Sequence, residues 1–313
     1  MTAMTQEKII KNLSDKTFSL YISIPFCPTR CSYCSFVSQS IESCGNLIPE
    51  YVDNLCREIS YTASLVNGLG LVLDTVYFGG GTPTTLSAQQ LATIMDVISS
   101  SFDMSKVREY TVEAGRPDTI TAEKLATIKS KGCTRLSVNP QTLSDSVLEA
   151  IGRKHTTQQF FDSYRIAQKT GFDSVNTDII AGLPTDTFDS FKNTVDGLIQ
   201  LAPENITVHT LSIKRAARLN HSEEKQSVLK NAAGEMVDYA SKRLLESGYR
   251  PYYLYRQKNM LENLENIGWA KPGFESLYNI YIMEEIQTII ALGAGGSTKL
   301  VDLKNGRLER VFN

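Results

Sequence analysis

Short β-rich segments alternate with amphipathic helical segments along most of this chain. We predict strands at 19–24, 73–78, 108–114, 134–138, 174–180 and 205–212, with a helix in each gap. A helix between consecutive strands favours a parallel sheet with right-handed crossovers, either doubly wound or curled into a barrel. Ser87 and Gln90 form a predicted capping box before one helix, and Gly171 stands where another should end. The sequence therefore predicts an α/β fold.

Distinctive residues recur where these predicted strands end. In a curled sheet of this kind the carboxyl ends of all strands meet at one edge, where the loops carry the active groups. The residues at these positions are Cys27, Gly79–Gly81, Glu113, Gln141, Asp178 and Ser212. We predict one pocket built from all six strand ends.

Composition and charge exclude several classes of protein. The 313 residues, 42% of them hydrophobic, suffice for one large domain and an accessory part. A net charge of −2 gives no basic field for a nucleic acid. No apolar run reaches the ~20 residues of a membrane span, and the first residues do not resemble a secretory signal. We therefore expect a cytoplasmic protein, and we expect a fragment because the chain stops directly after a predicted hairpin.

Three of the six cysteines lie within eight residues, in the stretch FCPTRCSYCSF. A chain of this size builds its own core, so a disulfide framework is not expected. The spacing C-x3-C-x2-C, with Pro25 and Pro28 beside it, places three thiols on one irregular loop. A structural zinc or a ferredoxin cluster takes four ligands. Three ligands to a four-iron cluster leave one iron open for a small molecule, and a structural zinc or iron site stays as an alternative.

This cysteine motif resembles the signature of the radical S-adenosylmethionine (SAM) enzymes. Further motifs are similar to the branch that contains oxygen-independent coproporphyrinogen III oxidase and the heme chaperones, and most of all to its coproporphyrinogen dehydrogenase-like subgroup. These motifs are YISIPFCPTRCSYCSF, YFGGGTPT, EAGRPDT, RLSVNPQTLSDSVLEAIGRKH, NTDIIAGLPTDT and NMLENLENIGWAKPG. The resemblance covers residues 19–215 well and the later residues more loosely.

The resemblance implies a fold and a domain organisation. The fold is a partial (β/α)6 barrel with a small mixed element after it. Residues 1–18 lead into the barrel, residues 19–222 form the radical SAM core, and residues 223–313 hold the last barrel helix and an accessory region.

The resemblance also implies a site. Cys27, Cys31 and Cys34 would hold a [4Fe-4S] cluster, and SAM would bind its open iron. Arg153 would pair with the methionine carboxylate, for which a planar guanidinium is suited. The other implied SAM contacts are Tyr21, Tyr33, Gly79, Gly80, Gly81, Thr82, Glu113, Gln141, Asp178 and Ser212.

The implied reaction is reductive cleavage of SAM to a 5′-deoxyadenosyl radical, which abstracts hydrogen from the substrate. In the oxidase that substrate is coproporphyrinogen III, whose propionates become vinyl groups with loss of carbon dioxide, and a flavodoxin or ferredoxin supplies the electron. Candidate cations for its carboxylates are Arg30, Arg116, Lys214, Arg215 and Arg218. The oxidase carries a further cysteine two positions after Cys34, where this chain has Phe36. A heme chaperone with the same fold and cluster therefore remains the alternative function.

Overall fold

The predicted strands form the centre of one mixed sheet in the computed structural model of this chain. The structure describes residues 2–10, 13–14, 16–34, 39–212, 233–255, 260–261 and 264–313. The strands are β1 Thr17–Ile24, β2 Phe26–Cys27, β3 Gln39–Ser40, β4 Val72–Gly80, β5 Glu109–Glu113, β6 Arg135–Ser137, β7 Ser174–Ala181, β8 Asn205–Thr210, β9 Arg250–Tyr255, β10 Asn266–Ala270, β11 Thr288–Leu292, β12 Ser297–Asp302 and β13 Arg307–Phe312.

The helices between these strands begin and end close to the predicted signals. They are α1 Thr2–Ile10, α2 Ile41–Cys44, α3 Ile48–Gly68, α4 Ala88–Ser101, α5 Ala122–Ser130, α6 Asp145–Ala150, α7 Thr157–Thr170, α8 Phe188–Leu201, α9 Ala233–Glu246 and α10 Leu277–Glu284. Ser87 and Gln90 form both bonds of the capping box before α4. Gly171 ends α7 in the left-handed region at φ 79°, as a helix-terminating glycine does.

The large sheet has the strand order β13-β12-β11-β1-β4-β5-β6-β7-β8-β10-β9. All neighbours from β11 to β8 are parallel, and the four outer strands β9, β10, β12 and β13 are antiparallel to their neighbours. Among the described strands, β9 and β13 end the sheet without pairing to each other, so the barrel is partial. The predicted fold class is confirmed.

The two faces of the sheet differ in polarity because side chains alternate along each strand. One face presents Leu20, Ile22, Val76, Phe78 and their equivalents to helices α3, α4, α5, α7, α8 and α9, and this layer is the main core. The opposite face, which we call the inner face, carries the other positions of the same strands. On it, Ser19 pairs in register with Thr75, and Tyr21 with Tyr77.

The C-terminal residues add to both edges of this sheet. Strands β10 and β9 extend it beyond β8, whereas β11 pairs in parallel with β1 and carries the hairpin β12–β13. Helix α10 lies on the inner face, where the buried Glu109 carboxylate accepts hydrogen bonds from Ser276 Oγ (2.9 Å) and from the backbone N–H groups of Leu277 (2.7 Å) and Tyr278 (3.1 Å). The mixed C-terminal element is therefore continuous with the barrel.

None of the helices that the structure describes combines the length and the apolar character that a membrane crossing needs.

Candidate functional site

The carboxyl ends of the parallel strands bring the predicted site residues to one edge of the sheet. Cys27 follows β1, Gly79 and Gly80 end β4, Glu113 ends β5, Gln141 follows β6, Asp178 lies in β7 and Ser212 follows β8. The backbone joins two of these positions directly, because Gln141 N–H donates to the carbonyl of Asp178 at 3.0 Å. The structure thus brings these residues to one edge of the sheet, and the single pocket predicted from the sequence stays a prediction.

The cysteine loop, residues 26–34, carries the three clustered thiols. None of the six cysteines forms a disulfide. Cys27 and Cys31 are buried, and Cys34 is half-buried. Burial raises the pKa of the Cys27 thiol; a hydrogen bond with Thr82, 3.4 Å away, and the charge of Arg116 oppose this rise in pKa. Electrostatic interaction with Cys34 and Cys31 adds to the rise in the pKa of the Cys27 thiol.

The glycine run Gly79–Gly81, at the end of β4, packs against this loop. A Cβ on Gly81 would lie 2.6 Å from the Phe26 carbonyl oxygen and 3.0 Å from Cys27 Sγ. A Cβ on Gly79 would lie 3.0 Å from the Tyr21 ring, and Gly80 adopts φ 103°. Close packing within the protein therefore already requires glycine here. The predicted contact of these three glycines with SAM stays a prediction.

Glu113 lies on the inner face beside a group of stacked tyrosines. The Tyr77 hydroxyl donates to Glu113 Oε1 at 2.5 Å, and the Tyr77 ring stacks on Tyr278 with 4.3 Å between centroids. Tyr21 stacks beside both rings. Burial raises the pKa of Glu113 to about 7, although the Tyr77 hydrogen bond opposes the rise. This carboxyl group can therefore exchange a proton near neutral pH.

Asp178 lies two strands away from Glu113, on β7, and has a different environment. Asn139 Nδ2 and Asn176 Nδ2 donate to its two oxygens at 2.8 and 2.7 Å. His209 Nε2 lies 3.7 Å from Asp178 Oδ2. Burial alone would raise the pKa of Asp178, but His209 and the amide hydrogen bonds hold it below its ordinary value. Asp178 is thus an anion at neutral pH, where Glu113 is only partly ionised.

Arg153 and Gln141 each bury a polar atom that has no partner among the described residues. Arg153 donates through Nη1 to the carbonyls of Asn139 (2.9 Å) and Gly115 (3.3 Å), while its buried Nε is unpaired. Gln141 has the left-handed φ of 69°, and its buried Oε1 is unpaired. Buried polar atoms are nearly always paired, so these two unpaired atoms, on residues after α6 and β6, indicate a place for a polar ligand.

The remaining predicted residues border the same region. Tyr33 packs against the apolar cluster that contains Val147, Leu148 and Ile151, and it interacts electrostatically with Arg153. The backbone of Ser212 forms an isolated antiparallel β-bridge with that of Met260. Phe36, Lys214, Arg215 and Arg218 lie outside the described residues.

The donor set fits a cluster better than a single ion. Over the ranges that the structure describes, no three Cys, His, Asp or Glu side chains converge to hold one metal ion. A cluster is larger than an ion, so its three ligands need not converge on one point. Free thiols are the ligands that iron–sulfur clusters take, and the cysteine loop provides three.

Comparison with known proteins identifies the family. The sequence profile of the radical SAM superfamily matches residues 21–198. The chain belongs to the radical SAM superfamily. The enzymes of this superfamily use a [4Fe-4S] cluster and SAM, which are the predicted cofactors.

Individual relatives confirm the predicted branch. The oxygen-independent coproporphyrinogen-III oxidase-like protein HemZ of Bacillus subtilis is 41% identical, over 94% of this chain and 59% of HemZ. The heme chaperone HemW of the same organism is 31% identical, over 91% of this chain and 73% of HemW. The structure of coproporphyrinogen III oxidase (HemN) from Escherichia coli covers 99% of this chain and 74% of that chain, with TM-score 0.75 and 21% identity, a likeness that shows the fold. The chain thus spans less than two thirds of the length of HemZ.

The sequence did not reveal three residues of this region, Tyr77, Asn139 and His209. Tyr77 could have been found, because it stands two positions before Gly79 and so shares its face of β4. Asn139 and His209 both contact Asp178, and no local sequence pattern predicts such a contact.

Proposed function

We propose that this chain is a radical SAM oxidoreductase that decarboxylates propionate groups of coproporphyrinogen III in heme biosynthesis. The observation that carries the proposal is the position of three cysteines, none of them in a disulfide, on one loop beside the unpaired atoms Arg153 Nε and Gln141 Oε1. The identity to HemZ supports the choice of substrate.

Each predicted residue takes a role in this proposal. Cys27, Cys31 and Cys34 hold the cluster, and Arg153 offers its unpaired Nε to the methionine carboxylate. Glu113, Asp178 and Gln141 offer oxygens to the amino group and ribose of SAM. The residues that border SAM are Tyr21, Tyr33, Gly79, Gly80, Gly81, Thr82 and Ser212.

When bound, the cluster and SAM supply one-electron cleavage of SAM and removal of a hydrogen atom from the substrate. The protein's own contribution is position and exclusion of water. Tyr21, Tyr77 and Tyr278 stack below the strand ends and cover the inner face there. A one-electron donor in the cytoplasm, such as a flavodoxin or ferredoxin, supplies the electron for this cleavage.

The carboxylates of the substrate need cations near the strand ends. Arg116 was one candidate, but it is buried and its guanidinium is paired with Asp118. Arg30, in the cysteine loop and half-buried, remains a candidate.

The test is anaerobic reconstitution of the protein with iron and sulfide, followed by dithionite and SAM. We expect 5′-deoxyadenosine to form, and coproporphyrinogen III to increase its yield with release of carbon dioxide. The C34S variant should lose bound iron and activity, whereas C56S, which alters a thiol on α3, should keep both. Equal iron in C34S and wild type would overturn the cluster assignment.

A heme chaperone is the second candidate function. Its support is the 31% identity to HemW across most of both chains, together with Phe36 in place of the additional cysteine. A chaperone should bind heme with defined stoichiometry and transfer it to an apoprotein, with SAM cleavage unaffected by coproporphyrinogen III. Heme titration of the same reconstituted sample separates the two functions.

A further inference from the structure

Thr29 stands midway between Cys27 and Cys31, and a buried arginine from the loop after β5 binds it. Arg116 follows β5, and its Nη1 donates to both the carbonyl oxygen (3.1 Å) and Oγ1 (2.8 Å) of Thr29. Only 4% of the Arg116 side chain is exposed. One guanidinium nitrogen therefore fixes both polar oxygens of this loop residue.

The rest of the same guanidinium is bound to Asp118. Nε donates to Oδ1 at 3.0 Å and Nη2 to Oδ2 at 2.9 Å, a two-point ion pair. Although burial acts to raise the pKa of Asp118, Arg116 holds it below its ordinary value. These contacts use most of the five N–H donors of an arginine, which explains why Arg116 is poorly placed to bind a substrate carboxylate.

The turn that carries Arg116 is itself well anchored. Residues Pro117–Thr119 form a short 3₁₀ turn. Ser163 Oγ on α7 donates to the carbonyl of Pro117 at 3.2 Å, and Thr119 Oγ1 donates to the carbonyl of Arg116 at 2.8 Å. By contrast, residues 28–34 of the cysteine loop have no regular secondary structure.

The opposite side of the loop has weaker contacts. Thr29 Oγ1 donates to the Gly152 carbonyl at 3.4 Å, and Ser32 N–H donates to the Ile151 carbonyl at 3.1 Å. Thr29 is therefore held between the turn after β5 and the residues after α6. An irregular loop pays conformational entropy to become ordered, and such anchors reduce that cost before any cluster binds.

We propose that Arg116 is a positioning residue that sets the separation of Cys27 and Cys31 for cluster assembly. The inference rests on the proposed function, because it assumes that these cysteines hold the cluster. Lysine cannot replace Arg116 here, since a single ammonium group lacks the planar fork that binds Asp118 and Thr29 together.

The test compares R116Q, R116K and T29V with wild type after anaerobic reconstitution with iron and sulfide. The readouts are bound iron and sulfide, and the iron chelator concentration that removes half of the cluster absorbance. We expect R116Q to release the cluster at about tenfold lower chelator concentration, the usual effect of losing an outer-shell partner. R116K should resemble R116Q, and T29V, which keeps the Thr29 carbonyl, should show a smaller shift.

R135Q is the matched control. Arg135 is also mostly buried, and it donates to the Phe274 carbonyl (3.0 Å) and to Asn205 Oδ1 (2.7 Å). It is the first residue of β6, at the amino ends of the strands, whereas the cysteine loop lies at their carboxyl ends. We expect R135Q to keep wild-type chelator resistance. Equal cluster loss in R135Q and R116Q would show general destabilisation and overturn the inference.

Two further outcomes separate this inference from the proposed function. If wild type binds iron and R116Q and T29V retain it equally well, the inference fails and the cluster assignment stands. If wild type binds no iron and sulfide, the proposed function fails and the inference with it. Should R116Q not fold, R116K and T29V decide by the same readouts.

Discussion

Glu113 is a carboxyl group whose ionisation should change the stability of the fold. Burial raises its pKa from the ordinary 4.5 to about 7. Between these two pH values the folded protein holds a proton on Glu113 that the unfolded chain has lost. Unfolding then releases a proton, so the free energy of unfolding falls as the pH rises from 4.5 to 7.

The E113Q variant removes this titration while it keeps the size of the side chain. We expect the unfolding free energy of wild type, measured by denaturant titration without cofactor, to fall relative to E113Q by up to ~3 kcal/mol between pH 4.5 and pH 7. E123Q, at an exposed position in the first turn of α5, should follow wild type. Parallel curves for wild type and E113Q would show that Glu113 ionises normally.

At the scale of residues, the sequence predicts which residues lie at strand ends better than it predicts their hydrogen-bond and ion-pair partners. Glu113, Gln141 and Asp178 could be found because a strand end is a local property of the sequence. The contact of Arg116 with Thr29 joins residues 87 positions apart, and its pairing with Asp118 turns an expected substrate cation into an internal one. Only the folded arrangement decides which partner a charged side chain reaches.

The glycine run and the cysteine loop are two elements whose packing can be tested at one atom. A Cβ on Gly81 would lie 2.6 Å from the Phe26 carbonyl, closer than any relaxed contact, so G81A must displace the cysteine loop. We expect G81A to lose about 1–3 kcal/mol of unfolding free energy and to bind less iron on reconstitution.

G115A is the matched control for this element. A Cβ on Gly115 would meet its nearest atom, Asn139 Nδ2, at 3.5 Å, which is an ordinary contact. G115A should therefore keep the iron content and stability of wild type. If G81A also keeps both, the loop has more room than the close approach indicates.

At the scale of elements, local patterns predicted the six central strands and the C-terminal hairpin, but not which strands pair at the edges of the sheet. Strands β1, β4, β5, β6, β7 and β8 lie within a few residues of their predicted bounds, because each combines an apolar alternation with a following helix. Strand β9 and the β12–β13 turn at Asn305–Gly306 also follow local patterns. That β11 pairs with β1 could not be predicted, since the pairing joins Tyr21 to Ala291 and no local pattern records the partner.

In the whole molecule, C-terminal residues pack against both edges and one face of the central sheet. Trp269 on β10 pairs with Ile206 on β8, β11 covers the free edge of β1, and Glu109 binds the start of α10. The predicted boundary at 222 lies outside the described residues. We propose that the residues on its two sides nevertheless form one folding unit, because the later strands complete both edges of the barrel sheet.

Trp269 makes this cooperativity measurable, since it is the one tryptophan of the chain and is only 3% exposed. Its fluorescence reports on β10, whereas far-UV circular dichroism reports mainly on helices α3 to α9 of the barrel. If the two parts are one unit, both signals should change at the same denaturant concentration, as in a two-state transition. A tryptophan transition that precedes the loss of helix would instead show that the C-terminal region unfolds by itself. The same titration after reconstitution extends the test to the site: a bound cluster stabilises the folded state by mass action, so it should shift both signals together.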